Sequence, residues 1–242
     1  MPLHSRTRRS VPLIFALFPF LMQPAFAGDP VNLDSDPHLV AWWKFDETAG
    51  KSAADSSGRN RNATLEGAFA FDSHSVAGHN GKALNFDGKA QVLVTGYKGI
   101  TGPGPRTIAT WIKHTANGGE IITWGTADAG KMFQFCFIRD RIGVTPRGGY
   151  LYMKAATNDD KWHHVAVVVR EGSPPNLHDD VKIYLDGEVA EIDDIGLLDL
   201  WPIDTGDKQD VRIGNRYKGA IDDLRIYDRA LSDEEIAALN KK

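Results

Sequence analysis

The residues whose types and spacing could do chemistry begin with Ala220-Ile221-Asp222-Asp223-Leu224-Arg225-Ile226-Tyr227. Read as a strand, alternation puts Ala220, Asp222, Leu224 and Ile226 on one face, and Ile221, Asp223, Arg225 and Tyr227 on the other. Asp222 is then a carboxylate on an apolar face, which is costly unless it is hydrogen-bonded, paired or metal-bound. Oxygen-only surroundings suit Ca²⁺, which takes roughly six to eight oxygens, backbone carbonyls included. Capping of nearby amides or pairing with an arginine would serve the same carboxylate. A second acidic stretch, Asp55 to Asn62, fails as an EF-hand because Ser57 and Arg59 stand at its third and fifth positions and the glycine is displaced to Gly58. A tight Asx turn accounts for it equally well, and Asp55 stays a further candidate ion ligand.

In Glu191-Ile192-Asp193-Asp194-Ile195-Gly196, Glu191 and Asp193 share a strand face. A retaining glycosidase needs two carboxyl groups about 5 Å apart, but Ile195 or Gly196 stands where a closing glutamate would. His163 and His164, adjacent on a strand, point to opposite faces and cannot share an ion. His74 and His79 lack a Cys or carboxylate cluster of zinc type. No Ser-His-Asp or Cys-His arrangement is legible. Aromatic rings can stack on the apolar faces of sugars, yet Trp43, Trp111 and Trp162 read as core residues of strands. Trp201, beside Pro202 in the loop 200–207, is the better platform, with Tyr150, Tyr152, Trp124 and Tyr217 behind it.

The elements that must position these groups are short alternating runs broken by Gly, Asn and Asp, the pattern of a sandwich and not of βαβ units. Val181–Leu185 and Glu188–Ala190 flank Asp186-Gly187, the signature of a tight hairpin turn. The run Trp162–Val169 is apolar on both faces and reads as a covered strand. After Tyr227, Ser232 and Glu235 have the spacing of a capping box ahead of Ile236 and Leu239, predicting a short C-terminal helix.

Arg6, Arg8 and Arg9, the apolar run from Val11 to Met22 and Ala25-Phe26-Ala27 read as a signal peptide over residues 1–27. The run falls short of the roughly 20 apolar residues of a spanning helix, so no membrane span is expected after cleavage, and a secreted or periplasmic location is. Cleavage would take those three of the 28 basic residues and none of the 32 acidic ones, deepening the formal charge from −4 to about −7. No basic stripe opposes that field, which argues against nucleic acid. Residues 28–38 read as a short linker and 39–240 as one domain. The single cysteine, Cys136, excludes an intramolecular disulfide and sits in an apolar run, as buried packing would.

The pieces Trp43-Lys44-Phe45-Asp46-Glu47, Asp55-Ser56-Ser57-Gly58-Arg59-Asn60, Gly81-Lys82-Ala83-Leu84-Asn85-Phe86-Asp87-Gly88 and Ile108-Ala109-Thr110-Trp111-Ile112 occur in that order. They are followed by Trp162-His163-His164-Val165-Ala166, Tyr184-Leu185-Asp186-Gly187 and Gly219 through Tyr227. Together, over residues 40 to 239, they resemble the laminin-G-like jellyroll branch of the concanavalin A-like lectin/glucanase fold. The resemblance implies an all-β, two-sheet antiparallel jelly-roll sandwich and a structural calcium ion held by Asp222, by oxygens around Asp46 and Glu47, and by Asp87-Gly88. One glucanase family on this fold carries a Glu-x-Asp-x-(x)-Glu motif, which the Glu191 segment does not complete. The expected function is an exported, non-catalytic module that binds a polysaccharide or glycoconjugate. The alternatives are a protein-protein adhesion domain recognising a cell-surface protein, and a divergent glycoside hydrolase or polysaccharide lyase, because fold alone does not set function.

Overall fold

The computed structural model describes residues 32–116, 118–196 and 202–242. The signal-peptide reading, the first residues of the linker and Trp201 lie outside the described residues. In chain order the strands are β1 (Leu39–Trp43), β2 (Ser52–Ala53), β3 (Ala63–Leu65), β4 (Ser75–Ala77), β5 (Lys82–Asp87), β6 (Val92–Val94), β7 (Arg106–Lys113), β8 (Glu120–Gly125) and β9 (Met132–Ile138). They continue with β10 (Arg141–Thr145), β11 (Tyr150–Met153), β12 (His163–Val169), β13 (Val181–Leu185), β14 (Glu188–Val189), β15 (Ile192–Gly196), β16 (Gln209–Ile213) and β17 (Lys218–Tyr227). A single helical turn, α1 (Phe71–His74), precedes β4, and α2 (Asp233–Leu239) follows β17.

All pairings are antiparallel and form two sheets. An eight-stranded sheet runs β14-β13-β12-β7-β17-β5-β4 with β1 also on β17, and a nine-stranded sheet runs β15-β11-β10-β9-β8-β16-β6-β3-β2. Between them lies the main core, to which β12 contributes Val165, Val167 and Val169, β9 contributes Phe133 and Phe135, and β17 contributes Ile221, Leu224 and Ile226. The strand read as covered on both faces is so: Ala166 and Val168 of β12 belong to a second cluster on the outer face of the eight-stranded sheet. There they meet Ile236 and Leu239 of α2 with Leu33 and Trp42. The expected capping box of Ser232 and Glu235 opens α2, and the Asp186-Gly187 turn joins β13 to β14 with positive φ at both residues.

Two details depart from the sequence reading. Residues 32–38, taken as linker, are docked on the domain. Leu33 is buried, Asp34 pairs with Arg225 and Asp36 pairs with Arg229, so this segment helps seal the outer cluster. In β17, strict alternation fails because a bulge interrupts the register between Asp222 and Arg225, with Asp223 at φ 53°. An extra residue resets the parity of everything after it. Leu224 and Ile226 therefore face the core with Ile221, while Asp222 lies with Arg225 and Tyr227 on the outer face, opposite to the side assigned by alternation.

Candidate functional sites on the two sheet faces

The bulge marks a joint in the eight-stranded sheet. On one side β17 pairs with β7 along its length; on the other, Lys218–Ile221 pair with β5 and Leu224–Tyr227 pair with β1. Asp222 sits where one neighbour gives way to the other. Its side chain is 1% exposed, and one carboxylate oxygen accepts the Asn80 amide at 3.0 Å. The loop carrying that amide can approach only because residue 78 is glycine: a Cβ there would stand 2.6 Å from the Asp222 carboxylate and 2.5 Å from the Lys82 carbonyl. Burial, together with the charges of Asp223 and Asp46, pushes the Asp222 carboxyl up to about 7. Beside it, Asp223 accepts from the Trp42 indole and pairs with Arg225. His79 stacks on Trp111 at 3.4 Å between ring centroids. His164 packs against the same indole, is 2% exposed, and leaves Nδ1 without a partner among the described residues.

Of the residues nominated for calcium, Asp222 and Asp46 line one cavity of about 300 Å³, shared with Lys44, Arg225 and Lys242. Asp46 also accepts the Lys82 amide at 2.8 Å. The others serve turns. Glu47 accepts the Ala54 amide at 2.7 Å, and Asp55 accepts the amides of Trp42, Ser57 and Arg61, bracing the loop 51–62 as an Asx turn would. Asp87 takes the amides of Lys89 and Ala90 and, with Gly88, turns the chain from β5 in one sheet to β6 in the other. Among the described residues no three His, Cys, Asp or Glu side chains converge as a metal cluster. Of the nominated carboxylates, Asp46 and Asp222 share a cavity, which Asp34 and Asp223, both paired with Arg225, also line.

The nine-stranded sheet presents a different outer face. Register places Leu93, Arg212, Thr123 and Gln134 across β6, β16, β8 and β9, with Glu120, Cys136, Gly143 and Tyr152 in the next row. Gln134 donates to one oxygen of Glu120 at 3.0 Å. The other Glu120 oxygen, the Thr123 hydroxyl and the Arg212 Nε are buried without a hydrogen-bond partner among the described residues. Toward β11, Tyr150 and Tyr152 lie 5.8 Å apart, and the Arg139 guanidinium is 5.5 Å from the Tyr150 ring. Cys136 lies on this face, and burial pushes its thiol up to about 12, which makes it unreactive packing.

Of the aromatic platforms nominated from sequence, Tyr150 and Tyr152 are thus on a sheet face, Tyr150 half-buried and Tyr152 buried. Trp124 and Tyr217 are not accessible: both are 0% exposed, Trp124 stacked on Phe133 and bonded to the Ile100 carbonyl, Tyr217 between Phe86 and Phe137. Trp124 is an inward position of β8, and a strand's alternation does not by itself say which parity faces in. Trp162 moves the other way. Read as core, it stands one residue before β12, half-buried, on the wall of a 590 Å³ cavity. Glu191 is exposed and paired with Lys154 at 2.8 Å, on the approach to the edge strand β15.

A family model described as the concanavalin A-like lectin/glucanases superfamily matches residues 86–237. The chain belongs to this superfamily. The superfamily's two-sheet architecture also appears in the solved structures it resembles. Domain 4 of AbnA, an extracellular GH43 arabinanase from Geobacillus stearothermophilus solved with arabinotriose, aligns with TM-score 0.63 and 20% identity over 84% of this chain and 98% of that one. The binding domain of Paraclostridial Mosquitocidal Protein 1 aligns with TM-score 0.54 and 16% identity over 81% of this chain. The botulinum neurotoxin serotype D binding domain gives 0.50 and 17% over 86%. The chain spans about half the length of these last two, 52% and 51%. A search of curated proteins finds no match.

Proposed function

We propose that this protein is an exported, non-catalytic carbohydrate-binding domain whose saccharide lies across the outer face of the nine-stranded sheet. The observation that carries the reading is the row of half-buried Arg212, Gln134 and Glu120 beside Thr123, three strands' polar side chains that together offer donors and acceptors along one outer face. Sugar hydroxyls, which donate and accept, match such a set. Half-buried Tyr150 stands at one end of the row, packed beside Tyr152, where its ring can meet the apolar side of a sugar. The arabinotriose complex of a fold relative supports a saccharide as the ligand class. Binding measured on a glycan array, and its loss in Gln134→Ala and Arg212→Ala, tests the proposal; a variant pair with an unchanged glycan profile overturns it.

A structural calcium ion belongs to the same reading. Asp46 and Asp222 would hold it, and a dication there would offset the cost of ionising a carboxyl that burial first, and the Asp223 and Asp46 charges second, hold protonated. The remaining oxygens would come from backbone carbonyls and water.

A further inference from the structure

The outer face of the eight-stranded sheet is closed at one end by α2 and the docked N-terminal segment, and in the middle by the loop that lays His79 on Trp111. Its other end is open. There Asn85 of β5, Ala220 of β17 and Lys113 of β7 lie side by side in register, and Trp162 stands one residue before β12. They surround the 590 Å³ cavity, a volume in the usual range of small-molecule sites, roughly 300–1,000 Å³.

We propose that this cavity is a second saccharide-binding site, separate from the nine-stranded face, in which one sugar residue packs on Trp162. The inference takes its ligand class from the reading above but its residues are on the opposite sheet. Three observations support it. Trp42, Trp43 and Trp124 each donate the indole N–H to a protein acceptor, whereas the Trp162 indole has none among the described residues. Asn85 and Lys218, both exposed on the wall, likewise have no side-chain partner among them, which leaves an amide and an ammonium for ligand oxygens. The floor is kept low by sequence. Ala220, between Asn85 and Lys113, faces the cavity with a single methyl. An aromatic wall, a small-residue floor and convergent polar groups form the combination that a sugar ring requires, one apolar face and a polar rim.

A domain with sites on both outer faces can engage two chains, or two stretches of one chain, and gain avidity without new contacts. The test is calorimetric titration of the protein with arabinotriose, xylotriose, cellotriose and trigalacturonate as probes, followed by the indole N–H resonance of Trp162. The expected result is a binding component that persists in Arg212→Ala, shifts the Trp162 indole signal and disappears in Trp162→Ala. Trp162→Phe, which keeps a ring and loses the donor, should retain it at lower affinity and serves as the folding control. A Trp162→Ala protein with the wild-type isotherm overturns the second site. If only Arg212→Ala removes binding, the nine-stranded face stands and this site falls. If only Trp162→Ala removes it, the reverse holds. Absence of heat with every probe contradicts both.

Discussion

Replacing Asp222 with Asn should remove a pH dependence of stability that belongs to this one carboxyl. The group is 1% exposed and its proton affinity is raised from 3.8 to about 7, by burial first and by the neighbouring Asp223 and Asp46 charges second. A folded pKa above the unfolded one means that the native state holds the proton more tightly. Its contribution is complete below pH 3.8, falls as pH rises, and is lost once pH passes about 7. At about 1.36 kcal/mol per pKa unit, the full span is ~4 kcal/mol. Urea unfolding of both proteins in EGTA, at intervals from pH 4 to pH 8, isolates the effect, because other groups titrate alike in the two and cancel in the difference. The wild type should lose stability relative to Asp222→Asn by about that amount across the range. Adding calcium above pH 7 should restore the wild type and leave the variant unchanged, since a cation replaces the proton as the partner of the ionised pair. Parallel pH profiles in EGTA would refute the burial argument. Equal calcium responses would place the ion away from Asp222.

His164 should act in the opposite sense. Burial pushes its imidazole down to about 4, so the neutral ring is stable above pH 6.5 and native stability is lost as pH falls through that range. His164→Leu should flatten the acid limb of a urea-denaturation profile by up to ~3 kcal/mol. Trp124→Ala, at a 0% exposed site stacked on Phe133, should cost about 3–5 kcal/mol in the same assay, as large aromatic truncations in cores do. Gly78→Ala pushes a methyl against Asp222 and the Lys82 carbonyl and should lower thermal stability by about 1–3 kcal/mol, the size of an overpacked site. Ser232→Ala removes the hydroxyl that accepts the Glu235 amide and should cost about 1 kcal/mol, read as a small fall in melting temperature.

What was legible in the sequence follows from which signals are local. The Asp186-Gly187 turn and the Ser232/Glu235 box are set by neighbouring residues, and both occur as read. The bulge at Asp223 is not local in that sense. It arises where β17 exchanges β5 for β1, partners more than 130 residues away, so alternation counted along β17 alone assigned Asp222 to the wrong face. The same reason separates the nominated carboxylates: Asp46 reaches Asp222 through chain topology, whereas Asp55 and Asp87 are consumed by their own turns. Trp124 and Trp162 exchanged roles because an aromatic residue in a short run carries no mark of inward or outward parity. The outer row of Arg212, Thr123, Gln134 and Glu120 forms no contiguous sequence motif, since its members come from three strands aligned only by register. An alternating polar position on each of β8, β9 and β16 is the one trace it leaves.

The central claim is that the nine-stranded face binds carbohydrate, and the most direct measurement is the glycan-array profile of the protein beside that of a Gln134→Ala, Arg212→Ala double variant. The account predicts a defined set of bound glycans for the wild type and its loss in the double variant, with thermal stability preserved. A wild-type protein that binds no glycan, or a double variant that keeps the full profile, would contradict it.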